Sequence, residues 1–127
     1  MEKATNSKKR ILVVDDETRI LNFLAIALKV AGYEVIIATN GQQALQLVES
    51  ERPHIMLLDI IMPVMDGFEV LKKLRTFSNV PVIGFSAMTN TRERAMNLGC
   101  NDYIIKPFKP DELLTKIEAI LNQPGAE

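Results

Sequence analysis

A chain of 127 residues is the length of one domain that can bury its own core, and its formal net charge of −1 excludes a global basic field for nucleic acid. No run approaches the roughly 18 apolar residues of a membrane span, and the first ten residues, MEKATNSKKR, lack the apolar segment of a signal peptide. The single cysteine, Cys100, cannot form an internal disulfide, so we expect a soluble cytoplasmic protein.

Five short segments rich in β-branched and other apolar residues alternate with longer segments of helical period. The predicted strands cover residues 10–15, 33–38, 54–59, 80–86 and 102–106. Three of them are near-continuous apolar runs, which is typical of parallel strands covered on both faces. Because strands and helices alternate with short joints, the pattern predicts βαβ units and an α/β fold with a parallel sheet.

The predicted helices follow these strands at residues 17–32, 40–51, 66–77, 90–100 and 110–122. Asn40 and Asp66 are suited to cap the second and third helices, and Gly32 is suited to end the first. The fourth helix has the weakest pattern because it is short and polar. Gly84, inside the fourth strand, predicts the close approach of a helix. One domain accounts for the whole pattern, and residues 1–8 and 123–127 are expected to be flexible termini.

Charged or hydroxyl-bearing side chains end four of the five predicted strands. Ligands of such sheets bind beyond the carboxyl ends of the strands, so these side chains are expected to converge. Two carboxylates 4 Å apart repel by roughly 4 kcal/mol at an effective dielectric constant near 20, and a small hard cation such as Mg²⁺ relieves that repulsion. The residues are Asp15, Asp16 and Glu17 after the first strand, Asp59 in the third, Ser86 in the fourth and Lys106 in the fifth.

These residue types suit the transfer of a phosphoryl group. Mg²⁺ typically binds one or two carboxylates together with a phosphate. Lys106 offers a point charge for a phosphate oxygen, and Ser86 offers a hydroxyl donor. Charge neutralisation of this kind is most of what phosphoryl transfer requires. Asp59 is embedded in the apolar stretch IMLLDIIMPVM and is therefore the expected nucleophile.

Four motifs make the sequence resemble the receiver (phosphoacceptor) domain of two-component response regulators, with a likeness to the chemotaxis regulators. The motifs are ILVVDDE, LLDIIMPVMDG, PVIGFSA and DYIIKPF, in the family's order and spacing, and the resemblance runs from residue 10 to about residue 121. It implies a flavodoxin-like (βα)5 three-layer sandwich with strand order 2-1-3-4-5. It also implies a receiver domain over residues 9–122 and a cis peptide bond between Lys106 and Pro107.

The resemblance implies a role for each residue of the site. Asp16 is the expected main acidic ligand of Mg²⁺, with Asp15 helping partly through water and the backbone carbonyl of Ile61 completing the protein ligands. Mn²⁺ is an expected substitute for Mg²⁺. Asp59 is the expected phosphoacceptor and the second metal carboxylate. The expected phosphate-binding groups are Ser86, the backbone N–H of Ala87 and Lys106, and the expected switch residues are Ser86 and Tyr103.

The implied function is a phosphorylation-activated signalling switch of an intracellular phosphorelay. Asp59 would accept a phosphoryl group from the phosphohistidine of a sensor histidine kinase or a histidine phosphotransfer protein. We expect no activity on a free substrate, only phosphotransfer to the protein itself and autodephosphorylation. Phosphorylation is expected to change a surface formed by the fourth helix, fifth strand and fifth helix, through which a monomer could form a weak dimer. Direct binding of nucleic acid or membrane is not expected.

Two positions depart from the family's common pattern. Ile61 and Met88 stand two residues after Asp59 and Ser86, where polar residues are common in the family. These apolar side chains predict slow autodephosphorylation because they obstruct the attacking water.

Three other functions fit the same residues less well. A phosphatase of the haloacid dehalogenase type would need a second aspartate at the place of Ile61. A flavodoxin-like flavin carrier would need a hydroxyl- or glycine-rich phosphate loop where DDETR stands. A degenerate receiver that only binds partners would not need the full set of acids, hydroxyl and lysine. The sequence leaves open whether this is a single-domain regulator or a piece of a longer protein.

Overall fold

The computed structural model describes residues 8–122, so the expected flexible termini lie outside the described residues except for Lys8. The strands are β1 (Arg10–Val14), β2 (Glu34–Ala38), β3 (Ile55–Asp59), β4 (Val82–Ser86) and β5 (Asp102–Ile105). The helices are α1 (Thr18–Val30), α2 (Gly41–Glu51), α3 (Gly67–Leu74), α4 (Arg92–Asn97) and α5 (Pro110–Leu121). A single 3₁₀ turn, Thr89–Thr91, precedes α4. Within residues 8–122, no helix is both long and apolar enough to cross a membrane.

The five strands form one parallel sheet in the order β2-β1-β3-β4-β5. This order places β1 and β3 next to each other at the centre, so the residues that follow them share one edge of the sheet. The predicted α/β class, the three-layer arrangement and the strand order are confirmed. The peptide bond between Lys106 and Pro107 is cis, as the resemblance implied.

Helices cover both faces of the sheet because alternate strand residues point to opposite sides. On one face, Leu12, Met56 and their neighbours pack against α2, α3 and α4. On the other face, residues such as Ile11 and Leu57 pack against α1 and α5. All five residues of β3 are buried, which is why this strand reads as a continuous apolar run in the sequence.

The helix starts that the sequence predicted from capping residues are confirmed. Asn40 Oδ1 accepts the N–H of Gln43 at 2.8 Å, and Asp66 Oδ1 accepts the N–H of Glu69 at 3.0 Å. The fourth helix is shorter than predicted, since the 3₁₀ turn replaces its first residues. Its polar sequence offers few apolar contacts to hold a longer α-helix.

The environment of Gly84 differs from the expected approach of a helix. A Cβ atom there would lie 3.0 Å from Cys100 Sγ and 3.1 Å from Tyr103 Cδ1. Gly84 and Tyr103 are register partners on β4 and β5, so the missing side chain makes room for the ring of the adjacent strand.

Candidate functional site

Three carboxylates converge at the carboxyl edge of the sheet, by which we mean the side formed by the carboxyl ends of the five strands; the amino edge is the opposite side. Asp15 and Asp16 follow β1, and Asp59 ends β3. One carboxylate oxygen from each residue lies within 4.8 Å of the others. Asp15 is fully buried and Asp59 is 3 % exposed, whereas Asp16 is exposed. Glu17 does not belong to this group, although it follows directly in the sequence; it lies at the start of α1.

Lys106 brings a positive charge to the two buried carboxylates. Its Nζ lies 3.6 Å from Asp15 Oδ2 and 3.8 Å from Asp59 Oδ2. The Nζ also lies 5.0 Å from the centre of the Phe85 ring, which limits its access to water on one side. One lysine therefore faces two acids, which leaves the buried group with an excess of negative charge.

Burial raises the pKa of both acids. The pKa of Asp59 rises to about 7, first because the carboxyl is desolvated and then because of the charge on Asp15. Lys106 and the backbone N–H of Ile61 lower the pKa of Asp59 only in part. The pKa of Asp15 is raised as well, chiefly by its burial. The ionised form of this pair is costly without a further cation.

The hydrogen bonds of the two acids fit a divalent cation. Asp15 Oδ1 accepts the N–H of Glu17 at 2.9 Å, and Asp59 Oδ1 accepts the N–H of Ile61 at 3.2 Å. Asp15 Oδ2 is buried and accepts no hydrogen bond. An unpartnered carboxylate oxygen beside two other acids is a ready oxygen ligand for Mg²⁺. The chain's residues therefore fit the metal that the sequence predicted.

The start of α3 packs directly against the residues that follow β3. A Cβ atom on Gly67 would lie 2.6 Å from Ile60 Cα and 3.0 Å from the Asp59 carbonyl oxygen. The N–H of Gly67 donates to the Ile60 carbonyl at 2.7 Å. Only glycine permits this approach, which fixes the backbone beneath the Asp59 carboxyl. The Ile61 backbone is part of this turn, and its carbonyl remains a predicted ligand.

Ser86 and Tyr103 lie on the neighbouring strands β4 and β5. Ser86 ends β4, is 1 % exposed, and its Oγ accepts the N–H of Met88 at 3.0 Å. Tyr103 is 2 % exposed, and its hydroxyl is hydrogen-bonded to Thr91 Oγ1. Sequence reasoning missed Thr91, because a threonine in a short polar turn carries no pattern that points to Tyr103.

His54 and Cys100 lie outside the site. His54 is at the amino edge of the sheet, where its Nδ1 accepts the N–H of Arg10 at 2.9 Å. Cys100 is a buried free cysteine, and burial raises the pKa of its thiol to about 11.

Comparisons with known proteins agree with this geometry. Residues 11–118 match the family model described as "Response regulator receiver domain". The chain is 42 % identical over 120 residues to "Probable transcriptional regulator ycf27" of Porphyra purpurea, covering 93 % of this chain and 49 % of that protein. It is 40 % identical over 122 residues to "DNA-binding response regulator MtrA" of Mycobacterium leprae (strain TN), covering 94 % of this chain and 54 % of that protein. The chain thus spans about half the length of the curated relatives it matches.

Solved structures of similar proteins share the fold. A CheY-like response regulator receiver domain protein from Methanospirillum hungatei JF-1 superposes with a TM-score of 0.85 at 36 % identity, covering 91 % of this chain and 95 % of that one. The receiver domain of a sensor histidine kinase from Pseudomonas aeruginosa PAO1 superposes with a TM-score of 0.85 at 30 % identity, covering 92 % and 100 %. That structure is described as having a magnesium ion coordinated in its active-site cleft.

Proposed function

Because the chain belongs to the response regulator receiver domain family and is thus a phosphorylation-activated signalling switch, we propose that Asp59 is its phosphoacceptor. The observation that carries this proposal is the position of Asp59. Its carboxyl is buried at the end of β3, between the acids that follow β1 and the amine of Lys106. We propose residues 9–122 as the bounds of the receiver domain.

The transfer itself requires little covalent chemistry from the protein. An Asp59 oxygen forms a bond to phosphorus as the bond from phosphorus to the donor's histidine nitrogen breaks, and the imidazole leaves. Lys106 lies where it can pair with a phosphoryl oxygen. Ser86 Oγ and the N–H of Ala87 are the proposed donors to the other oxygens.

Mg²⁺, when bound, supplies the positive charge that one lysine does not, and it neutralises the oxygens of the transferring group. Asp15, Asp16 and Asp59 are the proposed carboxylate ligands, and the Ile61 carbonyl is the proposed backbone ligand. The unpartnered Oδ2 of Asp15 supports this assignment. Mn²⁺, which also takes oxygen ligands in octahedral geometry, is a proposed substitute.

A protein phosphodonor is the proposed partner, either a sensor histidine kinase or a histidine phosphotransfer protein. α1 starts just after the acidic residues and exposes an apolar stripe formed by Phe23, Ile26 and Val30. These positions, spaced by three and four residues, share one face of the helix. An exposed apolar stripe that leads away from Asp59 is a surface on which a donor helix could pack.

Autodephosphorylation is proposed to be slow. Ile61 and Met88 lie on the two loops that flank Asp59 and Ser86, and both side chains are about half exposed. Polar replacements, Ile61→Asn together with Met88→Glu, are expected to shorten the lifetime of the phosphorylated protein about ten-fold. This is less than the roughly 10²-fold minimum of a full general acid–base effect, because the new side chains only orient the attacking water. The decay of the phosphorylated form in Mg²⁺ measures this. Decay of the parent within seconds would contradict the proposal.

The acceptor is tested by phosphotransfer from a panel of autophosphorylated sensor kinases, with Asp59→Asn as the control. We expect rapid labelling of the parent chain by one kinase in the presence of Mg²⁺, and no labelling of Asp59→Asn or of any variant in a chelator. Ile26→Ser should reduce transfer from the kinase but not from acetyl phosphate. Labelling that persists in Asp59→Asn would place the acceptor elsewhere.

The haloacid dehalogenase alternative finds no support in the site. The residue two positions after Asp59 is Ile61, whose side chain has no proton to give to a leaving group. The phosphotransfer panel also tests the alternative of a degenerate receiver, because a degenerate receiver would not be labelled by any donor.

A further inference from the structure

A buried hydroxyl outside the acidic site connects Tyr103 to the loop after β4. Thr91 is the last residue of the 3₁₀ turn and is 8 % exposed. Its Oγ1 donates to the Met88 carbonyl at 2.8 Å and is also hydrogen-bonded to the Tyr103 hydroxyl. Because the Thr91 hydroxyl has one proton, which is donated to Met88, the Tyr103 hydroxyl is the donor to Thr91.

The same loop continues this connection to Ser86. The backbone N–H of Met88 donates to Ser86 Oγ at 3.0 Å, and the Met88 carbonyl accepts from Thr91 at 2.8 Å. Ser86, Met88, Thr91 and Tyr103 therefore form a continuous chain of polar contacts. It runs from the proposed phosphate-binding hydroxyl to a buried tyrosine.

The Tyr103 side chain is buried, so its hydroxyl depends on Thr91 for a hydrogen bond. The side chain is 2 % exposed and occupies the space left by the missing side chain of Gly84. A buried tyrosine hydroxyl requires a hydrogen-bond partner to offset its lost hydration. Thr91 supplies that partner, so the inward position of Tyr103 depends on the place of Thr91.

We propose that Thr91 is a positioning residue of the switch, which holds Tyr103 inward and couples it to Ser86. The coupling to Ser86 rests on the proposed function, because the coupling requires Ser86 to bind a phosphoryl group on Asp59. The effect of Thr91 on the inward position of Tyr103 does not rest on it. When Ser86 Oγ turns to that group, the N–H of Met88 loses its acceptor and the loop to Thr91 is free to shift. Tyr103 responds because its hydroxyl follows Thr91.

The tyrosine content of the chain allows a direct test. The sequence contains two tyrosines and no tryptophan, so a Tyr33→Phe background leaves Tyr103 as the single tyrosine fluorophore. Quenching by acrylamide reports how accessible Tyr103 is, before and after phosphorylation with acetyl phosphate and Mg²⁺. Thr91→Val removes the hydroxyl at nearly constant volume, and Thr91→Ser retains it. Thr89→Val is the matched control, because Thr89 is exposed in the same 3₁₀ turn.

In the unphosphorylated protein, Thr91→Val is expected to lower the ratio of inward to outward Tyr103 about five-fold, which corresponds to one net hydrogen bond of ~1 kcal/mol. Thr91→Ser and Thr89→Val should match the parent. After phosphorylation, the change in Tyr103 quenching should be lost in Thr91→Val alone. Quenching of Thr91→Val that equals the parent in both states would overturn the proposal.

Independent measurements separate this inference from the proposed function. The intact mass of each variant reports phosphoryl incorporation. If neither the parent nor any variant gained a phosphoryl group, the acceptor assignment and the coupling would both be refuted. The quenching of the unphosphorylated variants would still decide whether Thr91 holds Tyr103 inward. If Thr91→Val is too unstable for the quenching comparison, urea unfolding gives a second test, because Tyr103→Phe removes the same hydrogen bond from its other end. The double variant should then be no less stable than the less stable single variant, since the two share one contact. Strict additivity of the two effects would overturn the proposal.

Discussion

The polar groups at the amino edge of the sheet have hydrogen-bond partners, whereas those at the carboxyl edge are only partly satisfied. At the amino edge, side chains end on backbone partners: His54 Nδ1 accepts the N–H of Arg10, and the Arg10 guanidinium donates to the Arg52 carbonyl at 2.9 Å and to the Glu51 carbonyl. At the carboxyl edge, two buried acids share one lysine, and Asp15 Oδ2 accepts no hydrogen bond.

This difference indicates which edge is built for stability and which for binding. A satisfied polar group contributes to folding, whereas a desolvated carboxylate that shares its one cation with a second acid costs free energy until a ligand completes its contacts. The carboxyl edge is therefore the part of the described chain that gains most from a cation and a phosphoryl group. Variants at the two edges should differ accordingly in sign.

The largest expected loss of stability comes from the amino edge, at Arg75. Its guanidinium donates to the Gly99 carbonyl at 2.7 and 3.2 Å, to the Ser78 carbonyl at 3.1 Å and to Asn101 Oδ1 at 3.1 Å. Arg75→Met leaves these acceptors without their donor, so the free energy of unfolding should fall by about 3 kcal/mol. Urea unfolding measures this change.

Lys73→Met is the matched control for Arg75→Met, because Lys73 is exposed on the same helix. It should change the free energy of unfolding by less than about 0.5 kcal/mol. Equal stability of the two variants would mean that the amino edge does not depend on these hydrogen bonds.

The second prediction concerns the pH dependence of the carboxyl edge. The pKa of Asp59 is 3.8 in its reference state and about 7 in the folded protein. Between these values the folded protein binds more protons than the unfolded chain, so the free energy of unfolding should fall as pH rises from about 4 to about 7. We expect a loss of roughly 2 kcal/mol in a chelating buffer, after allowance for solvent screening.

Urea unfolding at several pH values, with and without Mg²⁺, measures that slope. Mg²⁺ should restore stability at the upper end of the range, and Asp59→Asn should flatten the slope in the chelator. Burial and the charges of Lys9 and Arg10 lower the pKa of His54 from 6.5, so His54 contributes a slope of the opposite sign just below pH 6.5. The part of the slope that Asp59→Asn removes is therefore the contribution of Asp59. A free energy of unfolding that rises over this range would contradict the cost assigned to Asp59.

The sequence predicted the parts of this molecule that depend on local patterns. The buried run of β3, the caps Asn40 and Asp66, and the convergence of Asp15, Asp59 and Lys106 follow from periodicity, capping chemistry and the geometry of parallel sheets. The strand order came from the family resemblance, because periodicity alone does not specify which strands are neighbours.

What the sequence did not predict depends on contacts between distant residues. Thr91 and Tyr103 are 12 residues apart and meet only because β5 lies beside β4. Gly84 was expected to accommodate a helix, but its neighbours are Cys100 and Tyr103, since the cross-strand register decides which side chain faces it.

The smallest expected effect also has the opposite sign. Asp15→Asn retains an oxygen for the N–H of Glu17 and removes a buried charge beside Asp59, so in a chelator at neutral pH it should raise the free energy of unfolding by about 1 kcal/mol. The same variant should lose part of the stabilisation that Mg²⁺ gives the parent, because a proposed metal ligand is gone. Urea unfolding with and without Mg²⁺ measures both changes.

Asp16→Asn is the control for Asp15→Asn, since Asp16 belongs to the same acidic group but is exposed. Water already solvates its charge, so its replacement should weaken the response to Mg²⁺ with little change in the chelator. If only Asp15→Asn gains stability in the chelator, the gain comes from removing a buried charge. A weaker response to Mg²⁺ in both variants would then report metal binding separately. If Asp15→Asn instead lowered stability without metal, Lys106 alone would compensate the buried acids, and the carboxyl edge would be as satisfied as the amino edge.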